Sequence, residues 1–463
     1  MPRLGLIFRT SVHLKPIQVW FQVWRRIQKK FGPHPKCGTG VLPEFTFLNT
    51  TAKPKGWNDE SLELLWRYNL HYFDYLNRVD DSHMPFILRW VNENPRGSFP
   101  GWDPYPTSLR IVNWVKWLVR NAHADHLERV RDSLKEQTAW LRSRLEYQLL
   151  ANHLLANAKA LVFAGKYLAQ KDWYEKGLSI YRQQLPEQTC SDGVNFERSP
   201  MYHAILFEDM LDLVEYTGEG LFMEFASRMY AGMERLTGAD GKISKFNDSS
   251  EGIAKEPYEL MARADGMEIA ATKGTKGERD SGFVREEAGE WMLIAKCGEI
   301  GPSYQPGHAH ADTWSFELWK SGEKIIGDTG CSTYIAGSIR SYERSTKAHN
   351  TVIIDGRDSS EVWASHRVGR RFDRKRHRRE FQLTANGLKG IDYLSGKGEH
   401  DIEIRFHLPP GTDKNTVNIN CPGDLTWEDC YFAEGWNRRK LGLCAVYSMK
   451  LSFPAEVAWK VGS

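Results

Sequence analysis

The hydrophobic period changes once along this chain, and that change constrains the fold more than any other feature. From about residue 60 to 270, apolar residues recur at helical spacing. After the polar, glycine-rich stretch 272–282, TKGTKGERDSG, they alternate. A period near 3.6 belongs to amphipathic helices, and a period of two belongs to half-buried strands. The spacing predicts helices over roughly 59–78, 107–122, 125–146, 152–170, 172–184, 203–217 and 221–237. Within them Ile111, Val115 and Leu118 share one face, as do Leu154, Ala158, Leu161 and Val162. Short connections between successive helices favour antiparallel neighbours, hence a bundle, a solenoid or an α/α toroid. Beyond the boundary, WMLIAKC (291–297), TWSFELW (313–319), NTVIID (350–355), DIEIRFH (401–407) and CAVYSMKLS (444–452) read as strands. Many short strands joined by polar turns argue for an antiparallel sandwich.

The expectation is therefore an α+β multidomain chain. Its 463 residues exceed the usual size of one hydrophobic core. Residues 1–57 hold an amphipathic helix and a loop leading into the main domain. Residues 58–271 form the helical domain, 272–282 the linker and 283–463 the sandwich.

Charge and cysteine usage exclude several classes. The formal net charge is only +3, so no global field draws polyanions, and no nucleic-acid recognition motif is present. A local basic run, HRVGRRFDRKRHRR (366–379), reads as a solvated hairpin or a strand edge protected by charge, and its density also suits an anionic polymer. The seven cysteines are scattered, with no CxxC pair, as expected of reduced, mostly buried thiols. No stretch reaches the ~18 apolar residues of a membrane span. Arg9 interrupts the first apolar run, so no secretory signal is read and the expected compartment is the cytoplasm. Residues 15–31, KPIQVWFQVWRRIQKKF, place Ile17, Trp20, Phe21, Trp24 and Ile27 at helical spacing with basic residues at the end. Such a helix either packs on the body of the protein or lies on a membrane surface, and it is also a candidate for self-association. The 17 tryptophans and 18 tyrosines fit a large aromatic core or a groove whose walls stack on sugar rings.

Three clusters carry unusual polar density. The first is Asn152-His153, at the start of an apolar helix, where Asn is also a good N-cap. The second is NFERSPMYH (195–203), in which a Pro-broken turn delivers Tyr202 and His203 to the next helix and Glu197 and Arg198 could pair locally. The third is GHAHADTWSFELWKSGEKIIGD (307–328). Residues two apart in an extended chain face one side, so His308 and His310 are expected to project into one site. His310, Asp328 and His349 make a two-histidine, one-carboxylate set acceptable to zinc, which leaves His308 free for other work.

Together these residues fit β-elimination from a uronic acid. The C6 carboxylate has to be neutralised so that the C5 proton becomes acidic, and an amide such as Asn152 or a histidinium does this by hydrogen bonding. A tyrosine or histidine tuned toward the working pH takes the proton. Tyr202 can protonate the departing glycosidic oxygen. No motif singles out the paired acids of a glycoside hydrolase.

The stretches GHAHADTWSFELWKSGEKIIGDTG, YERSTKAHNTVIID, NHLLANAKALVFAGKYL and FERSPMYH resemble the heparinase II/III family of polysaccharide lyases, which includes heparin/heparan and oligoalginate lyases. The likeness runs from about residue 60 to 360, and the N-terminal stretch with GWDPYPTSLRIVNWVKWL (101–118) resembles members associated with bacterial surface-polysaccharide synthesis. The resemblance implies an N-terminal α/α toroid followed by a C-terminal antiparallel β-sandwich. It implies that Asn152 neutralises the uronate carboxylate and that His153 acts as base for one epimer. Tyr202 would be the acid, and the base as well in syn elimination, with His308 assisting. Glu197, Arg198, His203 and Tyr304 are candidate substrate contacts, and His310, Asp328 and His349 would hold a largely structural zinc. The implied partner is an anionic, uronate-containing polysaccharide, met at the inner membrane surface or, as for other family members, in the periplasm. Two other readings stand beside the lyase: a catalytically silent glycan-binding or assembly protein, and a hydrolase using Glu197 with another carboxylate.

Overall fold

The structure is a computed structural model that describes residues 2–31, 35–77, 84–122, 127–272, 280–370 and 376–462. Most of the 272–282 linker and the middle of the basic run at 366–379 lie outside the described residues. The chain divides into two compact units. One is Lys15–Glu187, and the other joins Met1–Leu14 to Gln188–Ser463.

The helical part opens with α1 (Pro2–Ser11) and α2 (Pro16–Phe31). A small hairpin follows, β1 (Phe45–Phe47) with β2 (Thr50–Ala52). Next come α3 (Leu64–Tyr72), α4 (Met84–Glu93), α5 (Pro104–Arg120), α6 (Leu127–Arg142), α7 (Ala151–Tyr167) and α8 (Lys171–Gln188). The series continues with α9 (Pro200–Thr217), α10 (Gly220–Leu236) and α11 (Pro257–Gly266). The start signals are chemical. Pro104 and Pro200 occupy first-turn positions, where a missing N–H costs nothing, and Ser199 accepts the Tyr202 backbone N–H. The expected 59–78 helix is broken because Phe73 adopts a left-handed conformation, φ 63°, and a short 3₁₀ turn follows. α4 and α11 were not anticipated from spacing.

Aromatic side chains fill the core of the Lys15–Glu187 unit. Trp90 meets Trp114 edge to face at 5.4 Å, Trp114 meets Phe73 at 5.5 Å, and Trp57 packs on Phe86 at 5.0 Å. Arg110 is buried among them, its guanidinium 3.9 Å from the Trp90 ring centroid and hydrogen-bonded to Gln137 and the Gly101 carbonyl. Most of the tryptophan count thus goes to packing.

The second unit carries the strands. β3 (Phe283–Ala288), β4 (Trp291–Lys296), β5 (Phe316–Lys320) and β6 (Glu323–Ile326) form a four-stranded antiparallel sheet. After α12 (Ser338–Arg344) come β7 (Val352–Ile354) and a short pair, β8 (Val362–Trp363) with β9 (Arg367–Val368). A six-stranded sheet contains β7, β10 (His377–Thr384), β11 (Gly387–Leu408), β12 (Ile419–Asn420), β13 (Asp424–Gly435) and β14 (Arg438–Gly462). Leu293, Phe316 and Leu318 of the smaller sheet share one core with Leu388, Ile404, Phe406 and Trp459 of the larger, so the two sheets form a sandwich. β11 and β14 are much longer than their alternating cores suggested. They pair antiparallel from Gly387↔Gly462 to Leu408↔Leu443, with an irregularity between Leu394 and Gly398. All seven cysteines are free, and five are buried.

One expectation is corrected. His308 and His310 do not lie on a strand, and Trp314, at φ 65°, precedes β5 rather than alternating within it. The polar, glycine-flanked segment before Phe316 takes a turn instead, because strand pairing with β4 begins only at Phe316.

Candidate functional site

Within the Lys15–Glu187 unit, Asn152 and His153 stand in the first turn of α7. The helix is capped at Leu150, whose side chain caps nothing, so Asn152 is a second-position residue and not the N-cap. Leu150 and Ala151 both take positive φ, 60° and 48°, strained values for these residues that sharpen the turn into the helix. His153 Nδ1 lies 3.2 Å from Glu146 Oε1, and its ring tilts on Tyr105 at 4.7 Å. Glu146 is held in turn by Asn157, which donates to Oε2 at 3.0 Å and accepts the Glu146 N–H at 2.7 Å.

In the other unit the structure brings Tyr202 and His308 into a stacked pair, with ring centroids 3.8 Å apart. Tyr202 sits on the first turn of α9, and its hydroxyl is 3.1 Å from that of Tyr334. His308 Nδ1 is 3.0 Å from Asp248 Oδ2, and its Nε2 is 3.5 Å from Glu197 Oε2. Asp248 is the hub of the site. Arg340 reaches both of its oxygens in a bidentate pair, and His310 Nε2 is 2.8 Å from Oδ1. Burial opposes the Asp248 charge, but Arg340 and the two imidazoles outweigh it and hold the carboxyl well below its ordinary range. An ionised carboxylate only accepts, so His308 Nδ1 carries the hydrogen and Nε2 is the nitrogen turned to Glu197.

The expected substrate contacts divide. Glu197 lies beneath His308. Arg198, at φ 58°, donates to the Glu299 carbonyl at 2.8 Å, and Tyr304 packs on Phe196 at 6.0 Å. His203 is a correction. It is wholly buried, Nδ1 accepts the Asn195 N–H, Nε2 donates to the Met229 carbonyl, and burial lowers its pKa to about 4. It braces the turn that presents Tyr202 and does not face a substrate.

Of the three expected zinc ligands, the two histidines come together. His310 and His349 face each other at 5.3 Å, both buried. His310 Nδ1 and His349 Nε2 have no hydrogen-bond partner among the described residues, while the opposite nitrogen of each ring is held by a carboxylate, Asp248 or Asp328. Orphaned imidazole nitrogens backed by carboxylates are the donor arrangement a metal takes, so the residues fit. Asp328 stands one step behind, its Oδ2 on His349 Nδ1 at 2.8 Å and on Ser315 at 3.2 Å. A second grouping, Asp248, His308 and His366, brings one donor atom from each within 4.8 Å of the others. There the Arg340 guanidinium already supplies the positive charge that an ion would bring.

Asp248, Tyr334 and Arg340 were missed from sequence. Their one signal is polar density that nothing local explains: NDSS (247–250) between glycine turns and the arginines of SIRSYER.

The family model described as Heparinase II/III N-terminus matches residues 88–249, and the one described as Heparinase II/III-like, C-terminal, matches residues 270–376. A heparin-sulfate lyase of Bacteroides stercoris is 22% identical over 344 residues, 63% of this chain and 50% of its own length. A heparin-sulfate lyase of Pedobacter heparinus is 24% identical over 316 residues, 58% of this chain and 47% of its own length. The matched region thus spans about half the length of these curated relatives. The crystal structure of the heparan sulfate lyase HepC from Pedobacter heparinus is similar with a TM-score of 0.59 at 17% identity, covering 88% of this chain and 78% of that one. The fold is the α/α toroid followed by an antiparallel β-sandwich. With both family regions matched in order over residues 88–249 and 270–376, the chain belongs to the heparinase II/III family.

Proposed function

We propose that this chain is a polysaccharide lyase that cleaves an anionic, uronate-containing glycan by β-elimination. The observation that carries the reading is the Tyr202–His308 stack with its proton connections fixed: phenol to phenol at Tyr334, and imidazole Nδ1 to Asp248. A phenol and an imidazole in contact provide an acid and a base without any paired carboxylates. The names of the curated relatives, heparin-sulfate lyases, support the same substrate class.

In this reading Tyr202 protonates the leaving glycosidic oxygen and, in syn elimination, also removes the C5 proton, with His308 assisting. Asn152 neutralises the uronate carboxylate, and His153 serves as base for one epimer. Glu197, Arg198 and Tyr304 bound the sugar-binding region. Zinc, when bound, would supply a structural cross-link held by His310 and His349, with Asp328 orienting His349 from behind, and no step of the elimination runs through it.

The test is ultraviolet absorbance of the conjugated uronate on a panel of heparan, hyaluronan, alginate, polyglucuronate and bacterial capsule, with wild type beside Tyr202→Phe. A rise with one glycan that falls about 10²–10⁴-fold in the variant is the expected result. Binding of a glycan without any rise would make the chain a silent glycan-binding protein. New reducing ends without the double bond would make it a hydrolase.

A further inference from the structure

α2 is mounted inside out. The side that packs on the Lys15–Glu187 unit is largely polar. Gln18 is buried and donates to the Leu149 carbonyl at 3.4 Å, Arg25 bonds Gln28, and Lys15 pairs with Glu187. Phe21 also packs on that side, its ring centroid 5.0 Å from that of Tyr147. The apolar side, Ile17, Val19, Trp20, Val23, Trp24 and Ile27, faces solvent. A surface helix ordinarily buries its apolar stripe. Of the 17 tryptophans in the chain only Trp20 and Trp24 are exposed, at 69% and 45%. Leaving six large apolar side chains in water on one helix opposes the hydrophobic effect unless something covers them.

Charge decides what that is. The first acidic residue of the chain is Glu44, after eight lysines and arginines. On α2 itself Arg26 is exposed, Arg25 and Lys29 act on the Asp103 carboxyl of the same unit, and no residue is acidic. Two copies of such a helix laid face to face would bring cations together, so the face is unsuited to self-association. Tryptophan beside lysine and arginine suits the boundary between acyl chains and anionic headgroups.

We infer that α2 docks this protein on an anionic phospholipid bilayer, its Trp20–Trp24 face in the acyl boundary and its cations on the headgroups. The polar side then stays on the rest of the Lys15–Glu187 unit.

The full chain is floated with vesicles of phosphatidylcholine alone and of equal parts phosphatidylcholine and phosphatidylglycerol. Two variants run alongside, Trp20→Ser/Trp24→Ser and Arg26→Glu. All three side chains are exposed, so both variants are expected to keep the wild-type thermal melt. The wild type should float with the anionic vesicles with a blue-shifted tryptophan emission, and partition should drop about tenfold or more in each variant and in high salt. Absence of flotation, equal flotation on neutral vesicles, or variants that float like the wild type would overturn the inference. Light scattering that shows a dimer split by the tryptophan variant would assign the face to a second copy and overturn it as well.

Discussion

At the residue scale, the site depends on side chains whose partners are far away in sequence. Asn152 is not a cap, so Asn152→Ala should leave the thermal melt nearly unchanged while lowering turnover about 10²–10³-fold, the usual loss for removing one donor from a developing oxyanion. A large drop in melting temperature would return the residue to a structural role. Asp248→Ala should behave in the opposite way. It strands the buried Arg340 guanidinium and releases both His308 and His310, so denaturant unfolding should show a loss of about 3–5 kcal/mol. A change below 1 kcal/mol, roughly the worth of an exposed pair, would show that Asp248 is not the hub. His308 and His310 were legible in the sequence as a pair, but for the wrong reason. They converge because both rings reach one carboxylate, and not because a strand aligns them. Nothing in GHAHAD (307–312) names Asp248 as that carboxylate.

Elements were legible where a single face repeats. α5, α7, α9 and α10 begin and end close to where apolar spacing and Pro or Ser signals place them. Lengths of strands were not legible, because β11 and β14 run past their alternating segments on the strength of pairing with each other. Their packing gives a sharp test. Trp459 stacks on Phe316 across the sandwich at 5.4 Å and donates to Asp392 at 2.8 Å, so Trp459→Ala should cost about 3–5 kcal/mol in denaturant unfolding. Gly390 faces Trp459 in register, and a methyl group there would lie 2.1 Å from the indole. Gly390→Ala should therefore destabilise the chain although alanine suits a strand no worse than glycine. A melt equal to wild type for Gly390→Ala would mean the indole is free to move. The amphipathicity of α2 was plain in the sequence as well, but its direction was not, since a helical stripe carries no statement of which side meets the protein.

At the scale of the whole molecule, a bound metal adds to stability because it favours the native state. Metal analysis of the purified protein should find zinc. His310→Ala should lose it and lower the melting temperature, since one of the two orphaned imidazole nitrogens disappears. Full zinc occupancy in His310→Ala would exclude that residue as a ligand. The sequence by itself determined the order of the molecule, helices before strands, together with its family. These follow from local periodicity, caps and motifs. Only the tertiary structure decided that Asp248 and Arg340 stand behind both histidines, that His203 is a brace, that Asp328 backs His349, and that α2 turns its tryptophans outward. Those facts depend on which distant side chains meet in a dry interior, where an unpaired charge or donor is costly, and residue spacing along the chain does not encode such meetings.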